Sequence, residues 1–402
     1  MSYRNNSSPL QDVANSSAGV SFPNVQLPAS TDPPSASNPA KQQTWLVFGA
    51  SGHMGLSLVK SAMSHGDRVC AVGRQLEDTL SSMRSGYPDN PNYLGLLCDV
   101  RIQRSVQHVF EQALQYFMDI DIIAVCSGYG VIGSCEDQDE YEIRNQFETN
   151  FMGTLNIIQA ALPYFREREA GRYLIFSSTS GALGVPGLGP YCATKYAVEG
   201  LVESMLYEVD SFNIKLTLVI AGHMRRDDQP NITSPGWYSQ NPTNGAHMAS
   251  GKKFQHFRIL KPSVHYASQD APASHAQRML QWIGDNQPTS AVKAAELVWQ
   301  LGHCTFPPLR LLLGTFAVDS IRDRLKSIIE EIEDWKELHF PPVEGMEVEG
   351  AEDESEQQKE GADEEQIDER PSPALSDVTE QASDDDGDDD DTKEQTEEKE
   401  LT

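Results

Sequence analysis

Tyr191 and Lys195 are four residues apart, just after a glycine and a proline that suit the start of a helix. Side chains at positions i and i+4 of a helix lie on one face, so this spacing places an ammonium group beside a phenol. The ordinary pKa of a phenol is roughly 10, and a nearby positive charge favours its ionised form. The pair could therefore move a proton at a substrate oxygen near neutral pH. Because the spacing is common by chance, an exposed helix face is the simpler interpretation of the pair alone.

A glycine-rich segment lies farther upstream, between a short apolar run and a helical pattern. Glycines at such a point let the backbone turn tightly and approach a diphosphate, and the N-terminus of the next helix favours negative charge. The segment predicts a dinucleotide-binding loop made of Gly49, Ser51, Gly52, His53, Met54 and Gly55.

Two charged residues follow the next two apolar runs. Arg74 lies where the adenosine ribose of a dinucleotide is expected, and an arginine there suits a 2′-phosphate. NADP is therefore favoured over NAD, although Arg74 could also be a solvated loop charge. Asp99 could accept hydrogen bonds from an adenine amino group or cap the helix predicted at residues 101–117, and the sequence leaves both roles open.

These segments belong to an alternation of short apolar runs and helical patterns that begins at residue 44. The predicted strands are residues 45–48, 69–72, 93–97, 120–125, 173–176, 215–219 and 310–313. Such an alternation predicts βαβ units. The expected fold class is α/β, a Rossmann-like, doubly wound, seven-stranded parallel sheet in a single domain of residues 44–340. No apolar stretch reaches 18 residues, so no membrane span is predicted.

Both ends of the chain differ from this domain in composition. Residues 1–43 are rich in Ser, Asn and Pro, and residues 341–402 are strongly acidic and account for most of the net charge of −29. Neither end has enough apolar residues to offset the entropy lost on ordering, so both are predicted to be disordered. The acidic tail is interpreted as a solubilising brush, or alternatively as a mimic of nucleic-acid charge that binds basic partners. Nucleic acid itself is not an expected partner.

Two segments inside the domain interrupt the alternation. Residues 223–287 contain many Pro, Asn, Gly, Ser and His residues and several aromatic ones. This insertion is either a substrate lid over the carboxyl ends of the strands or an irregular surface segment. The helical pattern at residues 317–338 is predicted to pack on the core of its own domain rather than in a coiled coil, through apolar residues at spacings of three and four: Ile321, Leu325, Ile328, Ile332 and Trp335.

The cysteines and the N-terminus bear on the compartment. Six cysteines without a Cys-x-x-Cys pair fit a reduced interior, and no metal site is predicted. The first residues have neither the basic start nor the apolar segment of a signal peptide. A cytoplasmic location is expected.

Taken together, these residues resemble the short-chain dehydrogenase/reductase family. The resemblance covers about residues 44–225 well and extends more loosely to residue 340. Family members carry a serine thirteen residues before the tyrosine and an asparagine in the preceding long helix. This chain has Ser178 and Asn150 at those positions. Four polar residues at the family's spacing make chance agreement very improbable.

The resemblance implies a role for each residue of this set. Tyr191 passes a proton to or from the substrate oxygen while the nicotinamide exchanges hydride. Lys195 lowers the pKa of the tyrosine and hydrogen-bonds the nicotinamide ribose, Ser178 holds the substrate oxygen, and Asn150 supports a water-linked proton path. The implied cofactor-binding residues are the loop residues named above together with Arg74, Asp99, Val100, Ser127, Gly128, Tyr191, Lys195, Gly222 and Met224. In the family, helices matching residues 140–165 and 191–210 often pair between subunits, so the resemblance is compatible with a homodimer.

The chain departs from the most familiar family pattern at three places. His53 replaces the middle glycine of the loop, Cys126 and Ser127 lie where Asn-Asn-Ala-Gly is usual, and Ala221 replaces the proline of Pro-Gly. These differences bear on cofactor affinity more than on chemistry, because the four polar residues are intact.

Two functions follow. The leading hypothesis is an NADP-dependent oxidoreductase that interconverts a carbonyl and an alcohol on a moderately apolar small molecule. The alternative is a non-catalytic dinucleotide-binding or scaffold protein. The complete set of Asn150, Ser178, Tyr191 and Lys195 favours the enzyme.

Overall fold

The computed structural model describes residues 25–336, except for residues 76–77, 223, 226–256, 269, 272–273, 275–277 and 279–288. The regular elements in chain order are β1 (Thr44–Phe48), α1 (His53–Ser64), β2 (Arg68–Arg74), α2 (Leu80–Ser85), β3 (Tyr93–Cys98), α3 (Gln103–Phe117), β4 (Ile122–Val125), β5 (Gly130–Ile132), α4 (Glu140–Phe147), a π-helical turn (Glu148–Met152), α5 (Gly153–Arg168), β6 (Gly171–Ser178), α6 (Gly189–Val209), β7 (Ile214–Ala221), β8 (Met224–Arg225), β9 (Phe257–Ile259), β10 (Thr289–Ser290), α7 (Ala291–His303), β11 (Arg310–Leu313) and α8 (Thr315–Trp335).

Seven of these strands form one parallel sheet in the order β11-β7-β6-β4-β1-β2-β3. The chain moves outward from β1 to β3 and then crosses to β4 on the other side of β1. The crevice between β1 and β4 is therefore the topological switch point, where open α/β sheets bind ligands at the carboxyl ends of their strands. The predicted fold class is confirmed, and each of the seven predicted strands is present.

Helices cover both faces of the sheet, which is why its strands read as continuous apolar runs. Side chains of a strand point alternately to the two faces. In β1, Leu46 and Phe48 join a core shared with α3, α5 and α6, whereas Trp45 and Val47 join a core shared with α1 and α7.

The N-terminal boundary of the ordered domain lies earlier than predicted. Leu27 is buried, its backbone N–H donates to Gln300 Oε1 at 3.0 Å, and Gln300 Nε2 donates to the Val25 carbonyl at 2.8 Å. The prediction that all of residues 1–43 are disordered is therefore wrong for residues 25–43. These contacts with α7 depend on backbone groups that composition does not reveal. The remaining predicted disorder, in residues 1–24 and 341–402, lies outside the described residues.

Helix α8 packs on its domain mainly through its first turns. Ala317 is fully buried, but Leu325, Ile332 and Trp335 are 55%, 61% and 65% exposed. The prediction that the whole apolar stripe packs on the core of the domain is therefore wrong, because these three side chains of the stripe are mostly exposed. Among the described residues, no helix combines the length and apolar character that a membrane span requires.

Candidate active site

Helix α6 places Tyr191 and Lys195 side by side at its N-terminal end, after Pro190 in the first turn, a position that suits proline. Lys195 Nζ lies 5.8 Å from the centre of the Tyr191 ring, so the two side chains share a face, as predicted. Both side chains are buried beneath neighbouring elements.

Lys195 is anchored to the strand beside it. Its Nζ donates to the Phe176 carbonyl of β6 at 3.1 Å. Burial lowers the pKa of Lys195 to about 8, against an opposing effect of the Glu199 carboxylate. The ammonium group therefore titrates close to physiological pH in this structure.

The pKa of Tyr191 is raised, whereas the sequence predicted that it would be lowered. Burial raises the pKa of the phenol, and a hydrogen bond with the Ser178 side chain only partly opposes that effect. Desolvation of the phenolate outweighs its stabilisation here. The phenol is therefore protonated at neutral pH and suited to donating a proton.

Ser178 ends β6 and faces the same point. Its Oγ accepts a hydrogen bond from the Ser180 backbone N–H at 3.2 Å and caps the short 3₁₀ turn at Thr179–Gly181. The structure thus brings Ser178, Tyr191 and Lys195 together at the carboxyl end of β6.

Asn150 lies in the π-helical turn between α4 and α5 and is almost completely buried. Its Oδ1 accepts from the Tyr129 N–H at 2.9 Å, and its Nδ2 donates to the Tyr129 carbonyl at 2.8 Å and to Thr194 Oγ1 at 2.9 Å. The Asn150 amide therefore joins the segment after β4 to α6. Its role in a water-linked proton path stays a prediction.

The glycine loop connects β1 to α1 at the switch point. Gly49 has a φ of +77°, and a Cβ at this residue would lie 2.7 Å from the Ser127 backbone nitrogen. A Cβ at Gly55 would lie 2.3 Å from the Gly49 carbonyl oxygen, whereas one at Gly52 would lie 3.3 Å from that oxygen. The first and third glycines are thus required by the fold, and the tight turn directs the start of α1 toward the crevice.

The remaining loop residues differ in what they can offer a cofactor. His53 is the first residue of α1, and Ser51 is half-buried. The Met54 side chain belongs to the core beneath the loop, so only its backbone could contact a diphosphate.

Ser127 and Gly128 lie after β4, on the other side of the crevice. The Ser127 Oγ is buried and has no hydrogen-bond partner among the described residues. Buried polar atoms are nearly always paired. An unpaired hydroxyl beside the glycine loop therefore fits a polar group of a bound dinucleotide.

Arg74 and Asp99 lie at the ends of β2 and β3, where the adenosine part was predicted. Asp99 accepts hydrogen bonds from Arg101 Nε at 2.9 Å and Nη2 at 2.7 Å. This pairing with Arg101 lowers the pKa of Asp99, and the charge of Arg74 contributes in the same direction. The alternative that Asp99 caps the next helix is wrong, because Ile102 is the residue that precedes α3.

Three further predicted cofactor residues lie near the same edge. Val100 packs against Gly153, where a Cβ would come within 2.7 Å of Val100 Cγ2. Gly222 follows β7, and the buried Met224 lies in β8, which pairs with β10.

A cluster of apolar residues, called the apolar wall below, packs together with Tyr191. Its members are Ile132, Val185, Leu188, Cys192, Phe257 and Ile259. Phe257 belongs to the predicted insertion, and its ring meets the Tyr191 ring edge-on, with centres 5.1 Å apart at 71°. Most of residues 223–287 lies outside the described residues. Of the part that is described, Phe257 bears on the choice between a substrate lid and a surface segment.

Glu199 is a member of the site that sequence reasoning missed. It lies four residues after Lys195, is buried, and accepts a hydrogen bond from Ser177 Oγ at 2.7 Å. Burial raises the pKa of Glu199, against the effects of Ser177, Arg310 and Lys195. Its spacing from Lys195 was the available signal, because it continues the face that holds Tyr191 and Lys195.

A doubly wound sheet with a glycine loop at its switch point and a Tyr–Lys–Ser cluster beside it defines an oxidoreductase built on a dinucleotide-binding fold. Residues 43–234 match the short chain dehydrogenase family model. The chain is 31% identical over 296 residues to an uncharacterized oxidoreductase of Schizosaccharomyces pombe, a match covering 72% of this chain and 88% of that protein. The chain belongs to the short-chain dehydrogenase family, whose members are NAD(P)-dependent oxidoreductases acting on CH–OH groups.

Two other similarities agree with this assignment. The crystal structure of a short-chain dehydrogenase from Streptomyces avermitilis is 27% identical, covers 74% of this chain and 97% of its own, and superposes with a TM-score of 0.61. A 3-ketodihydrosphingosine reductase of Bacteroides thetaiotaomicron is 32% identical over 180 residues, covering 45% of this chain and 63% of that protein. The predictions of the family and of an enzyme are confirmed.

Proposed function

We propose that this chain is an NADP-dependent oxidoreductase that interconverts a carbonyl and an alcohol on a moderately apolar small molecule. The observation that carries the proposal is the position of the Tyr191 phenol. It is hydrogen-bonded with Ser178, shares a helix face with Lys195, and packs with the residues of the apolar wall. Proton-transfer groups thus adjoin a surface that suits an apolar carbonyl compound.

Each polar residue has one task in this proposal. Bound NADPH supplies the hydride that reduces the carbonyl carbon. Tyr191 donates its proton to the carbonyl oxygen, and Ser178 holds that oxygen by a hydrogen bond. Lys195 stabilises the phenolate left on Tyr191, while Asn150 fixes the segment after β4 against α6. In the reverse direction, Tyr191 must first lose its proton, which its raised pKa makes harder.

Residues of the switch point would hold the cofactor. The turn at Gly49 and the N-terminus of α1 suit the diphosphate, the Ser127 hydroxyl suits a ribose hydroxyl, and Lys195 suits the nicotinamide ribose. Arg74 supports NADP over NAD, because an arginine at the end of β2 suits a 2′-phosphate. Its charge already acts on Asp99 across this part of the crevice.

The apolar wall around Tyr191 supports the proposed substrate class. A relative named for reducing a 3-keto compound agrees with a ketone as substrate. The test is to follow NADPH absorbance with a panel of aliphatic and aromatic ketones, using the wild type and Tyr191→Phe. We expect the wild type to oxidise NADPH with apolar ketones and the variant to lose that activity. Ketone turnover by Tyr191→Phe would contradict the proposal that Tyr191 donates the proton.

A non-catalytic dinucleotide-binding protein is the second candidate. One observation favours it: Phe257 covers the ring of a tyrosine that is only 3% exposed. This candidate predicts NADPH binding, measured by quenching of tryptophan fluorescence, without turnover of any ketone in the panel.

We also propose that the protein forms a homodimer. We propose a cytoplasmic location as well. Helices α4 and α6 and the π-helical turn expose large side chains, namely Tyr141, Met152, Tyr196 and Tyr207. A second copy would cover them, as helices at these positions do in the family. Light scattering after size-exclusion chromatography would report twice the chain mass of 44.5 kDa.

A further inference from the structure

Strand β9 adds a small second sheet beside the active site. It pairs in parallel with β5, in the register Gly130↔Phe257, Val131↔Arg258 and Ile132↔Ile259. The pairing continues beyond β9, where the Leu260 N–H donates to the Ile132 carbonyl at 2.9 Å. The chain before and after β9 belongs to the insertion, so this strand is the part of the insertion that attaches to the domain next to Tyr191.

Alternate residues of β9 point in opposite directions, as in any strand. Phe257 lies against Tyr191 on one side. Gly130 makes this approach feasible, because a Cβ there would lie 2.5 Å from Phe257 Cε1 and 2.9 Å from Tyr191 Cδ2. Arg258, the next residue, points the other way, toward α4.

Arg258 forms an ion pair there with Glu142, in the first turn of α4. The Glu142 side chain is only 4% exposed, whereas that of Arg258 is 56% exposed. A buried carboxylate is costly unless it is paired and hydrogen-bonded, and the N-terminus of a helix favours its negative charge. The domain therefore holds a buried carboxylate at the start of α4, and β9 supplies the cation that pairs with it.

Glu142 is itself fixed to the rigid part of the site. Its second carboxylate oxygen accepts a hydrogen bond from Tyr129 Oη at 2.7 Å. The Tyr129 backbone is held by Asn150 through two hydrogen bonds, and Asn150 is joined to α6 through Thr194. A contact to Glu142 thus positions β9 relative to the helix that carries Tyr191.

We propose that Glu142 is a positioning residue that latches β9 over the active site through Arg258, so that Phe257 forms the apolar wall of the substrate site beside Tyr191. The proposal rests on the proposed function for the roles of Tyr191 and the ketone. Release of the latch weakens substrate binding by removing the wall, and leaves the proton-transfer groups in place.

Hydrogen–deuterium exchange of the full-length wild type tests the latch without any substrate. Glu142→Gln and Arg258→Gln should each speed exchange of a peptide spanning residues 257–266 by about tenfold, which corresponds to about 1.4 kcal/mol. The double variant should exchange no faster than either single variant, because both remove the same ion pair. Arg144→Gln is the matched control, since Arg144 also lies on α4 but pairs with Glu140 at an exposed position.

Steady-state kinetics tests the positioning role with the ketone that the wild type turns over fastest. We expect Arg258→Gln to raise KM for that ketone by about fivefold or more with kcat within about twofold, and Arg258→Lys to restore KM. Unchanged exchange of residues 257–266 in both single variants, or effects that add in the double variant, would overturn the latch. A change in kcat with KM unaffected would overturn the positioning role. A wild type that turns over no ketone contradicts the proposed function and the positioning role, while the exchange data still decide the latch.

Discussion

Two buried polar clusters lie at opposite ends of the central sheet and differ in how strongly hydrogen bonds stabilise their charged groups. At the amino end, Asp67 accepts hydrogen bonds from the Gln43 N–H at 2.8 Å, from Trp45 and Trp299 Nε1 at 2.9 Å each, and from His303 Nε2 at 2.8 Å. At the carboxyl end, the Ser127 hydroxyl has no partner among the described residues, and the buried Lys195 Nζ donates to the Phe176 carbonyl at 3.1 Å.

The pKa directions express the same difference. Burial alone would raise the pKa of Asp67, but hydrogen bonds led by the one from His303 outweigh it and lower the pKa. At the other end, burial dominates: it raises the pKa of Tyr191 and lowers that of Lys195. Hydrogen bonds to Asp67 stabilise its charged form and the fold, whereas desolvation at the carboxyl end disfavours the charged forms of Tyr191 and Lys195. We therefore expect the amino end to serve stability and the carboxyl end to serve the proposed chemistry.

The sharpest test of this contrast is Lys195→Met. We expect kcat for ketone reduction to fall about thousandfold, because Tyr191 loses its cationic neighbour. The free energy of unfolding should stay level or rise, because a buried charge is replaced by an apolar side chain of similar length. Ketone kinetics and urea unfolding measure the two effects. A large loss of stability in this variant would contradict the contrast.

Asp67→Asn should give the opposite result. We expect the free energy of unfolding to fall by about 3 kcal/mol, because an amide cannot accept all four hydrogen bonds. Since the pKa of Asp67 is lowered on folding, its contribution is present above its unfolded pKa of about 3.9 and is lost as the pH falls through the folded value. Urea unfolding at several pH values measures this, with the exposed Asp323→Asn as control. If Asp67→Asn lowered kcat as much as Lys195→Met does, the proposed difference between the two ends of the sheet would be contradicted.

The pH dependence of reduction should follow Lys195. As the pH rises through about 8, Lys195 loses its proton and can no longer stabilise the phenolate of Tyr191, so kcat/KM for the ketone should decline. Because the Glu199 carboxylate raises the pKa of Lys195, Glu199→Gln should move this decline to lower pH. A pH profile of both proteins provides the measurement. A decline that moves to higher pH would show that Glu199 acts differently.

The smallest expected effect concerns the cofactor. Arg74→Ala should raise KM for NADPH by about tenfold through loss of a charge-assisted contact, and leave KM for NADH nearly unchanged. Arg84→Ala is a suitable control, because Arg84 lies in the last turn of α2 rather than at the end of a strand. Equal changes in KM for NADPH and NADH would contradict a contact between Arg74 and the 2′-phosphate.

Most of the fold could be predicted from patterns among residues that are close together in the sequence. The seven strands and the shared face of Tyr191 and Lys195 follow from apolar runs and from helical spacing, which involve residues close in the chain. The prediction for α8 failed because periodicity shows that a helix has an apolar face, but not which residues of that face contact the rest of the domain. The order of residues 25–43 was missed because it depends on Gln300, far away in the chain.

The sequence by itself determined the sheet, the glycine loop and the set of residues that can move a proton, because spacing and residue type define these over short distances. Only the tertiary structure decided that burial, rather than Lys195, controls the pKa of Tyr191. The same holds for the pairing of Glu142 with Arg258, which are 116 positions apart. Such contacts arise when distant segments fold against one another, and desolvation depends on everything packed around a group, so neither is visible in local patterns.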